Sequence, residues 1–329
     1  MHIIRAYKLK YSNDTETRNK KINEIKEAIT KLSKTNFTIL KVKILTKDKD
    51  LSEDVFVYYQ DFYAKADSPY KVESVVVEYV KWLQEKGDYI KIKNVMDDYE
   101  SNYNPSEKYL RLKAICLMNN EEFEKSLEII DSISLELALT RAKMEMLYYM
   151  GKDKELDNFY NSLSNSYDVD KAYYSAKRDD ESIIKLLELR KDQSNDLSVN
   201  DLIALSFSYL KTKRYSEAVS LLKPYYDNPQ MKTGEIIINY LFAKYNGNKQ
   251  ALIKKANEKI LNKDHIGFSD DVIGVAYHFI NDDNKSIDYL AKEIKRRPSH
   301  KYDILNWPVL DDLKVNDRFK NITKLYYNR

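Results

Sequence analysis

"LSFSYLKTKRYSEAVSLLKPYYDNP", residues 205–229, reads as two amphipathic helices joined by a short polar turn. At two positions where a helix normally buries a bulky side chain, the stretch has Ser206 and Ala218 instead. Small side chains let two helix backbones approach closely where they cross. We therefore predict that the two helices pack as a tight αα-hairpin, with these two residues at the crossing.

The same arrangement recurs in two other stretches of the chain. "LKAICLMNNEEFEKSLEII" places Ala114 and Ser126 at the corresponding positions, and "IGVAYHFINDDNKSIDYL" places Gly274 and Ser286 there. Ser206 and Gly274 are 68 residues apart, which is twice 34. A fixed period of this size predicts a helical repeat protein built from stacked hairpins.

One region departs from this period. Ala114 and Ser206 are 92 residues apart, which is not a multiple of 34. The hairpins within residues 135–193 are therefore predicted to be shortened or irregular. Outside that region, residues 67–298 show helix after helix with apolar residues at spacings of three and four.

Glycines mark several of the expected helix ends. Gly87, Gly151 and Gly247 each follow an apolar helical pattern and precede the next one. Glycine adopts the left-handed conformation of a helix C-cap at little cost, so these positions suit short turns between antiparallel helices.

The repeat resembles the tetratricopeptide repeat family, in which a 34-residue helix–turn–helix unit has small residues where its helices cross. The residues that match best are Leu205, Ser206, Tyr209, Tyr215, Ala218, Leu222 and Pro229, followed by Gly274, Tyr277, Ser286, Leu290 and Pro298, and then by Leu110, Ala114, Leu117, Phe123 and Ser126. The resemblance implies an all-α-dominated, right-handed α-solenoid. It also implies a concave groove, lined by the first helix of each hairpin, that binds extended or helical peptides.

The two ends of the chain differ from this pattern. Residues 1–66 are basic and contain β-branched and aromatic runs, which favour a small α/β cap; the alternative is a set of atypical first helices. Residues 299–329 resemble the segment that closes many prokaryotic tetratricopeptide-repeat proteins. We expect Trp307, Leu310, Leu313 and Phe319 to form capping helices that cover the last exposed apolar face.

Composition narrows the class of protein. Six glycines and six prolines in 329 residues are too few for the many tight turns of an all-β protein. The single cysteine, Cys116, allows no intramolecular disulfide, which predicts a reducing, cytoplasmic setting. No apolar run approaches the roughly 18 residues that span a bilayer, so we expect no membrane partner.

We find no pattern that predicts catalysis. The four histidines lack metal-ligand spacing, and the chain has no glycine-rich phosphate loop and no serine nucleophile elbow. No catalytic, cofactor or metal residue is therefore predicted, and the protein is not expected to be an enzyme. An enzyme site within the first 60 residues was weighed, but those residues contain no glycine and no pair of plausible catalytic groups.

The function favoured by this reading is protein–protein interaction. We expect a scaffold, adaptor or regulatory subunit of a prokaryotic signalling, regulatory or defence assembly that binds a partner protein or peptide in the groove, with self-association also open. The mixed apolar and charged residues expected to line the groove suit a peptide with anchors and a charged flank. These residues are Lys108, Arg111, Asn119, Asn200, Phe207, Lys211, His278 and Phe279.

Nucleic-acid binding is the alternative. Residues 1–50 hold 13 Lys/Arg against 6 Asp/Glu, and residues 290–329 hold 10 against 5. Basic ends and 28 tyrosines permit phosphate contacts and base stacking. The acidic middle of the chain argues against a continuous basic groove.

Overall fold

The computed structural model describes residues 69–194, 197–228, 233–262 and 268–324, and these are helical, with no strand among them. The prediction of an all-α, repeat-like protein is confirmed for this part of the chain. The α/β cap predicted for residues 1–66 lies outside the described residues.

The helices follow one another as pairs, and we call the first helix of each pair the A helix and the second the B helix. The pairs are α1 (Pro69–Lys86) with α2 (Tyr89–Asn102), α3 (Glu107–Asn119) with α4 (Phe123–Asp131), α5 (Leu137–Tyr149) with α6 (Asp153–Asn161), α7 (Tyr167–Ala176) with α8 (Asp180–Ser194), α9 (Val199–Lys211) with α10 (Tyr215–Asp227), α11 (Gly234–Lys244) with α12 (Lys249–Ala256), and α13 (Asp270–Phe279) with α14 (Asp283–Arg296). A π-helical turn, Asn257–Leu261, extends α12.

A residue in the left-handed conformation ends every A helix. These residues are Gly87, Glu121, Gly151, Arg178, Lys213, Gly247 and Asn281, with φ between +56° and +84°. At the α3–α4 turn, the backbone N–H of Glu122 donates to Leu117 O at 2.9 Å and that of Glu121 donates to Met118 O at 3.0 Å, which is a Schellman cap. The turn reverses the chain within a few residues and starts the B helix.

These turn residues measure the repeat directly. Their successive separations are 34, 30, 27, 35, 34 and 34 residues. The period of 34 therefore holds at both ends of the described chain. Residues 135–193 contain two complete hairpins, α5–α6 and α7–α8, that are shortened rather than irregular.

Small residues lie where A and B helices cross. The Ser126 hydroxyl on α4 donates to the backbone oxygen of Ala114 on α3 at 2.8 Å, and both residues are fully buried. A Cβ added to Gly274 on α13 would lie 2.9 Å from Leu290 Cγ and 3.1 Å from Ser286 O on α14. Both contacts require a close approach of the two backbones, as the small residues of the sequence predict.

The chain divides into two compact units, Met1–Lys113 and Ala114–Arg329. In the described part of the first unit, Glu73 on α1 is buried and fully engaged. It accepts hydrogen bonds from the Tyr99 hydroxyl at 3.1 Å, from Ser106 N at 2.9 Å and from the Ser106 hydroxyl at 2.6 Å. These bonds fix the start of α3, because Ser106 immediately precedes that helix.

The second unit contains two hydrophobic clusters. One takes its buried residues from Ala114 to Ala176, and the other takes them from Ile183 to Phe319. After α14 the chain continues as a 3₁₀ turn (Pro298–His300), α15 (Lys301–Asn306), a second 3₁₀ segment (Pro308–Val315) and α16 (Asp317–Lys324). Among the described residues, no helix is long and apolar enough to cross a membrane.

We expect Gly274→Ala to lower the free energy of unfolding of the second unit by about 1–2 kcal/mol. The added methyl group would press against the backbone oxygen of Ser286, and this overpacking outweighs the gain in helix propensity. Chemical denaturation followed by the emission of Trp307, in a Trp82→Phe background, measures the change.

Ser286→Ala is the matched control at the same crossing. The Ser286 hydroxyl is buried and has no hydrogen-bond partner, so its removal is expected to be neutral or stabilising. A loss of stability in Ser286→Ala equal to that in Gly274→Ala would contradict the close-crossing explanation.

Candidate partner-binding surface

The residues that follow α14 run back across the second unit. We call residues 298–315 the return segment. Its hydrogen bonds and ring contacts reach residues up to 180 positions earlier in the chain. It therefore places its own side chains on the ends and faces of several A helices.

The first contacts of the return segment are at the end of α3. The Ser299 hydroxyl lies 3.1 Å from Asn119 Oδ1, and Lys301 Nζ lies 2.7 Å from Glu121 Oε2. Lys301 is fully buried, which a lysine tolerates only with a charged or polar partner. Burial lowers the pKa of Lys301, whereas the hydrogen bond and charge of Glu121 oppose that change.

The next contacts are aromatic and ionic. The Tyr302 ring stacks on the ring of Tyr149, with centroids 3.9 Å apart and planes 9° from parallel. Arg178 Nη2 donates to Asp303 Oδ1 at 2.9 Å and also to the Tyr149 hydroxyl at 2.9 Å. The turns that follow α5 and α7 are thus held by consecutive residues of one short helix.

Trp307 anchors the middle of the segment. Its indole N–H donates to Asn239 Oδ1 on α11 at 2.9 Å, and the Asn239 amide donates to the Ser206 hydroxyl on α9 at 3.0 Å. All three residues are buried. The small Ser206 therefore serves a second purpose, because it accepts the hydrogen bond that orients Asn239 toward the indole.

A buried carboxylate holds the base of the return segment. Glu293 on α14 is fully buried, accepts hydrogen bonds from Arg296 and Arg297, and has Oε1 3.1 Å from His300 Nδ1. Burial alone would raise the pKa of Glu293, but hydrogen bonding from His300 and the charges of Arg297 and Arg296 lower it to about 2. This cluster directs the chain out of α14 toward the A helices.

A cavity of about 360 Å³ remains between the return segment and the A helices. We call it the A-face cavity. Its lining comes from α5, α7, α9, α11 and α13 on one side and from His300, Asp303, Ile304 and Trp307 on the other. On α9, residues 200, 203, 204 and 207 line it, which is the spacing of one helical face.

Cations and carboxylates are unequally matched in the A-face cavity. Its Arg178 is paired with Asp303, and its Lys171 is paired with Asp201. None of the ion pairs among the described residues involves its three remaining carboxylates, which belong to Asp180, Glu235 and Asp271.

The pKa values of two of these carboxylates are displaced. Burial raises the pKa of Asp180 despite a hydrogen bond from the Ser208 hydroxyl at 2.8 Å. Burial also raises the pKa of Glu235, and the nearby charge of Asp271 adds to that effect. These carboxylates are positioned to accept a cationic group, because a positive charge would restore their ordinary ionisation.

A second cavity, of about 490 Å³, lies at the turn ends of α9, α11 and α13. Phe242 and Phe279 form part of its wall with rings nearly parallel and 6.2 Å apart. Pro308 and Val309 of the return segment line its other side. The return segment therefore separates the two cavities.

The structure distributes the residues predicted to line a groove among three places. Asn200 and Phe207 line the A-face cavity; Lys211, His278 and Phe279 line the second cavity; and Asn119 contacts Ser299. Lys108 and Arg111 belong to the first unit, where Lys108 is exposed and Arg111 pairs with Glu107 at 2.8 Å. Six of the eight predicted residues thus lie beside the return segment or the cavities that it borders.

Sequence reasoning missed the principal contacts of the return segment. Glu121, Tyr149, Arg178 and Asn239 were not predicted to take part, and Trp307 was expected to cap the last hairpin. One signal was present in the sequence: a charged residue, Glu121, occurs 34 positions after Gly87, at a turn where glycine would be favoured.

Comparison with known proteins does not assign this chain to a family. No protein-family model and no curated protein matches the sequence. What the chain does is therefore inferred from the chemistry of the surface described above.

We expect Glu121→Gly to destabilise the second unit by about 3–5 kcal/mol, because the buried charge of Lys301 loses its carboxylate. Glycine relaxes the left-handed backbone at this position, so the loss occurs in spite of a local gain. The double variant Glu121→Gly/Lys301→Met should return to within about 1 kcal/mol of wild type, since an apolar replacement of a buried pair is often neutral. Urea denaturation of the four proteins measures the coupling.

Lys213→Gly is the control for backbone relaxation. Lys213 is also left-handed, with φ +60°, but is exposed, so this change should be neutral or stabilising by up to about 1 kcal/mol. If the double variant is as unstable as Glu121→Gly alone, the ion pair does not account for the loss.

We expect Glu293→Gln to lower stability at pH 7 by about 1–3 kcal/mol through weaker charged hydrogen bonds. The pKa of Glu293 is depressed from 4.5 to about 2, so its contribution is present above pH 4.5 and is lost as the pH falls toward 2. The difference between wild type and variant should narrow across that interval. Unfolding curves from pH 7 to pH 2.5 test this.

Asp270→Asn supplies a control of opposite sign near the same cluster. Burial, together with the charge of Glu293, raises the pKa of Asp270, so its ionised form disfavours folding. This variant should be as stable as wild type at pH 7, or more stable. A constant gap between wild type and Glu293→Gln down to pH 2.5 would show that Glu293 does not titrate as described.

Proposed function

We propose that this chain is a non-catalytic interaction protein that binds a segment of a partner protein on the A-helix surface of its second unit. In this view it is a tetratricopeptide-like scaffold, adaptor or regulatory subunit of a prokaryotic signalling, regulatory or defence assembly, and it works in the cytoplasm. The observation that carries the proposal is that this surface already holds a short segment, the return segment, through separate side-chain contacts to successive hairpins.

The arrangement of the A helices supports this proposal. Helices from five successive hairpins present side chains to one cavity of about 360 Å³, so a bound segment would touch several repeats at once. Stacked hairpins commonly use such an extended surface for recognition. Specificity then arises from the combination of small contacts rather than from one reactive group.

The chemistry of the A-face cavity indicates which residue a partner would insert. Phe207 and Trp307 provide apolar walls, while Asp180, Glu235 and Asp271 supply carboxylates outside the described ion pairs. A lysine or arginine side chain meets both requirements, because its aliphatic stem packs on aromatic rings and its charged end pairs with carboxylates. We therefore propose that the partner segment carries a basic anchor.

We expect Ser175→Trp to weaken partner binding by at least about tenfold, because an indole at this position fills the A-face cavity. Tagged wild type and variant are used to capture proteins from the native host. Each captured protein is then purified and titrated by calorimetry against both forms. Direct binding to wild type that fails with Ser175→Trp is the expected result.

Ser220→Trp is the matched control, since Ser220 is exposed on the B helix α10 and lines neither cavity. It should bind the partner as wild type does. The proposal fails if every direct binder retains its affinity for Ser175→Trp. A salt-dependent shift of labelled single-stranded nucleic acid, with no protein partner affected by Ser175→Trp, would favour nucleic-acid binding instead.

A further inference from the structure

We propose that a patch of five residues on the second unit is a docking site for a short partner segment, and that residues 299–307 occupy it as an intramolecular ligand. The patch consists of Asn119, Glu121, Tyr149, Arg178 and Asn239, and we call it the receptor patch. The inference rests on the proposed function, because it names the regulation and the partner chemistry of the same surface. It adds that partner and return segment exclude one another.

The strongest support comes from the backbone of the turns. Among the described A–B turns the left-handed residue is Gly or Asn at four positions and a long charged residue at three, Glu121, Arg178 and Lys213. A non-glycine residue costs about 1 kcal/mol or more in this conformation. A side chain retained against such a cost usually has a purpose beyond the turn.

All three charged turn residues are directed at the return segment or at a cavity that it borders. Glu121 pairs with Lys301, Arg178 pairs with Asp303, and Lys213 lines the second cavity. The turns that keep Gly151 and Gly247 make no such ion pair among the described residues. The costly side chains thus occur at the turns that grip the segment.

The contacts are specific to side chains rather than spread over an apolar seam. Lys301, Tyr302 and Asp303 are consecutive, and they meet a carboxylate, an aromatic ring and a guanidinium that belong to three different hairpins. Buried charge pairs of this kind set register and selectivity more than they add stability. Such an arrangement is characteristic of peptide recognition.

The occupant has little structure of its own. It consists of a 3₁₀ turn, Pro298–His300, and a six-residue helix, Lys301–Asn306, which is too short to be stable in isolation. It also leaves the A-face cavity of about 360 Å³ between itself and the A helices. A segment that served only to complete the core would be expected to fill this space, since interiors are close-packed.

The occupant specifies the chemistry of the partner that would replace it. The receptor patch accepts lysine at Glu121, an aromatic ring on Tyr149, a carboxylate at Arg178 and an indole donor at Asn239. A partner segment is thus expected to carry a basic, an aromatic and an acidic residue in succession. It should carry Trp four residues after the acidic one.

Covalent attachment gives the return segment an advantage. A tethered ligand competes at an effective concentration of about 1 mM, so a free segment with equal contacts binds the closed protein poorly. The partner must either contribute additional contacts, such as a basic residue in the A-face cavity, or meet the protein while the return segment is released.

The test uses a fluorescein-labelled synthetic peptide, RPSHKYDILNWP, which has the sequence of residues 297–308. The full-length variant Lys301→Ser/Tyr302→Ser/Asp303→Ser weakens the intramolecular contacts and leaves the receptor patch intact. Fluorescence anisotropy should show saturable binding to this variant. Its apparent Kd should be at least about tenfold lower than that of wild type.

A charge exchange tests the register of binding. In the released background, Glu121→Lys should abolish binding of the peptide and restore binding of a peptide with glutamate at the position of Lys301. Gly274→Ala is the control for general loss of stability, because it destabilises the second unit away from the receptor patch and should not bind peptide. A released variant that stays folded by circular dichroism and binds neither peptide overturns the proposal.

A measurement on the unaltered protein covers the case in which the released variant does not fold. Hydrogen exchange should show that residues 299–307 open more readily than helices α9 and α13, and that excess unlabelled peptide increases their exchange. If they exchange only with global unfolding and peptide has no effect, the return segment is permanent structure and the proposal is wrong. Binding of a partner lost in Ser175→Trp would still support the proposed function, so the two failures are distinguishable.

Discussion

One left-handed residue at the end of each A helix is the constraint on which the rest of this structure depends. It reverses the chain within a few residues, so the B helix returns against the A helix from which it came. The close return leaves room only for small side chains at the crossing, as at Ala114 with Ser126 and at Gly274 with Ser286. Repeating this unit aligns the A helices, and their alignment creates the surface that the return segment crosses.

The same turns place binding groups at a regular interval. A residue at the left-handed position projects from the end of its A helix, where a segment lying across the hairpins must pass. Glu121 and Arg178 use this position to reach Lys301 and Asp303. The repeat therefore provides a series of attachment points that can change identity without changing the turn, since glycine, asparagine or a charged residue satisfies the backbone with different strain.

Much of the fold could be predicted from the sequence, because its determinants are local. Apolar spacing within twenty residues predicts the helices, and the recurrence of small residues predicts the hairpins and their period. The contacts of the return segment join residues 180 positions apart, and no local pattern links Lys301 to Glu121. Position along an A helix correctly suggested Asn200 and Phe207 as surface residues. It could not suggest that the chain itself covers part of that surface, or that Trp307 bonds to Asn239 rather than closing the last hairpin.

The energetic character of the return segment explains why it suits a replaceable contact. Tyr302 packs against one hydrophobic cluster of the second unit while Ile304 and Trp307 belong to the other, so a few residues join two cores. An apolar segment would join them more firmly, because burying Lys301 requires desolvation that its pairing with Glu121 only offsets. A contact of this composition gains selectivity at the expense of strength. That balance is what a bound segment needs if another segment of similar chemistry is to displace it, and it is the reverse of what a permanent core contact needs.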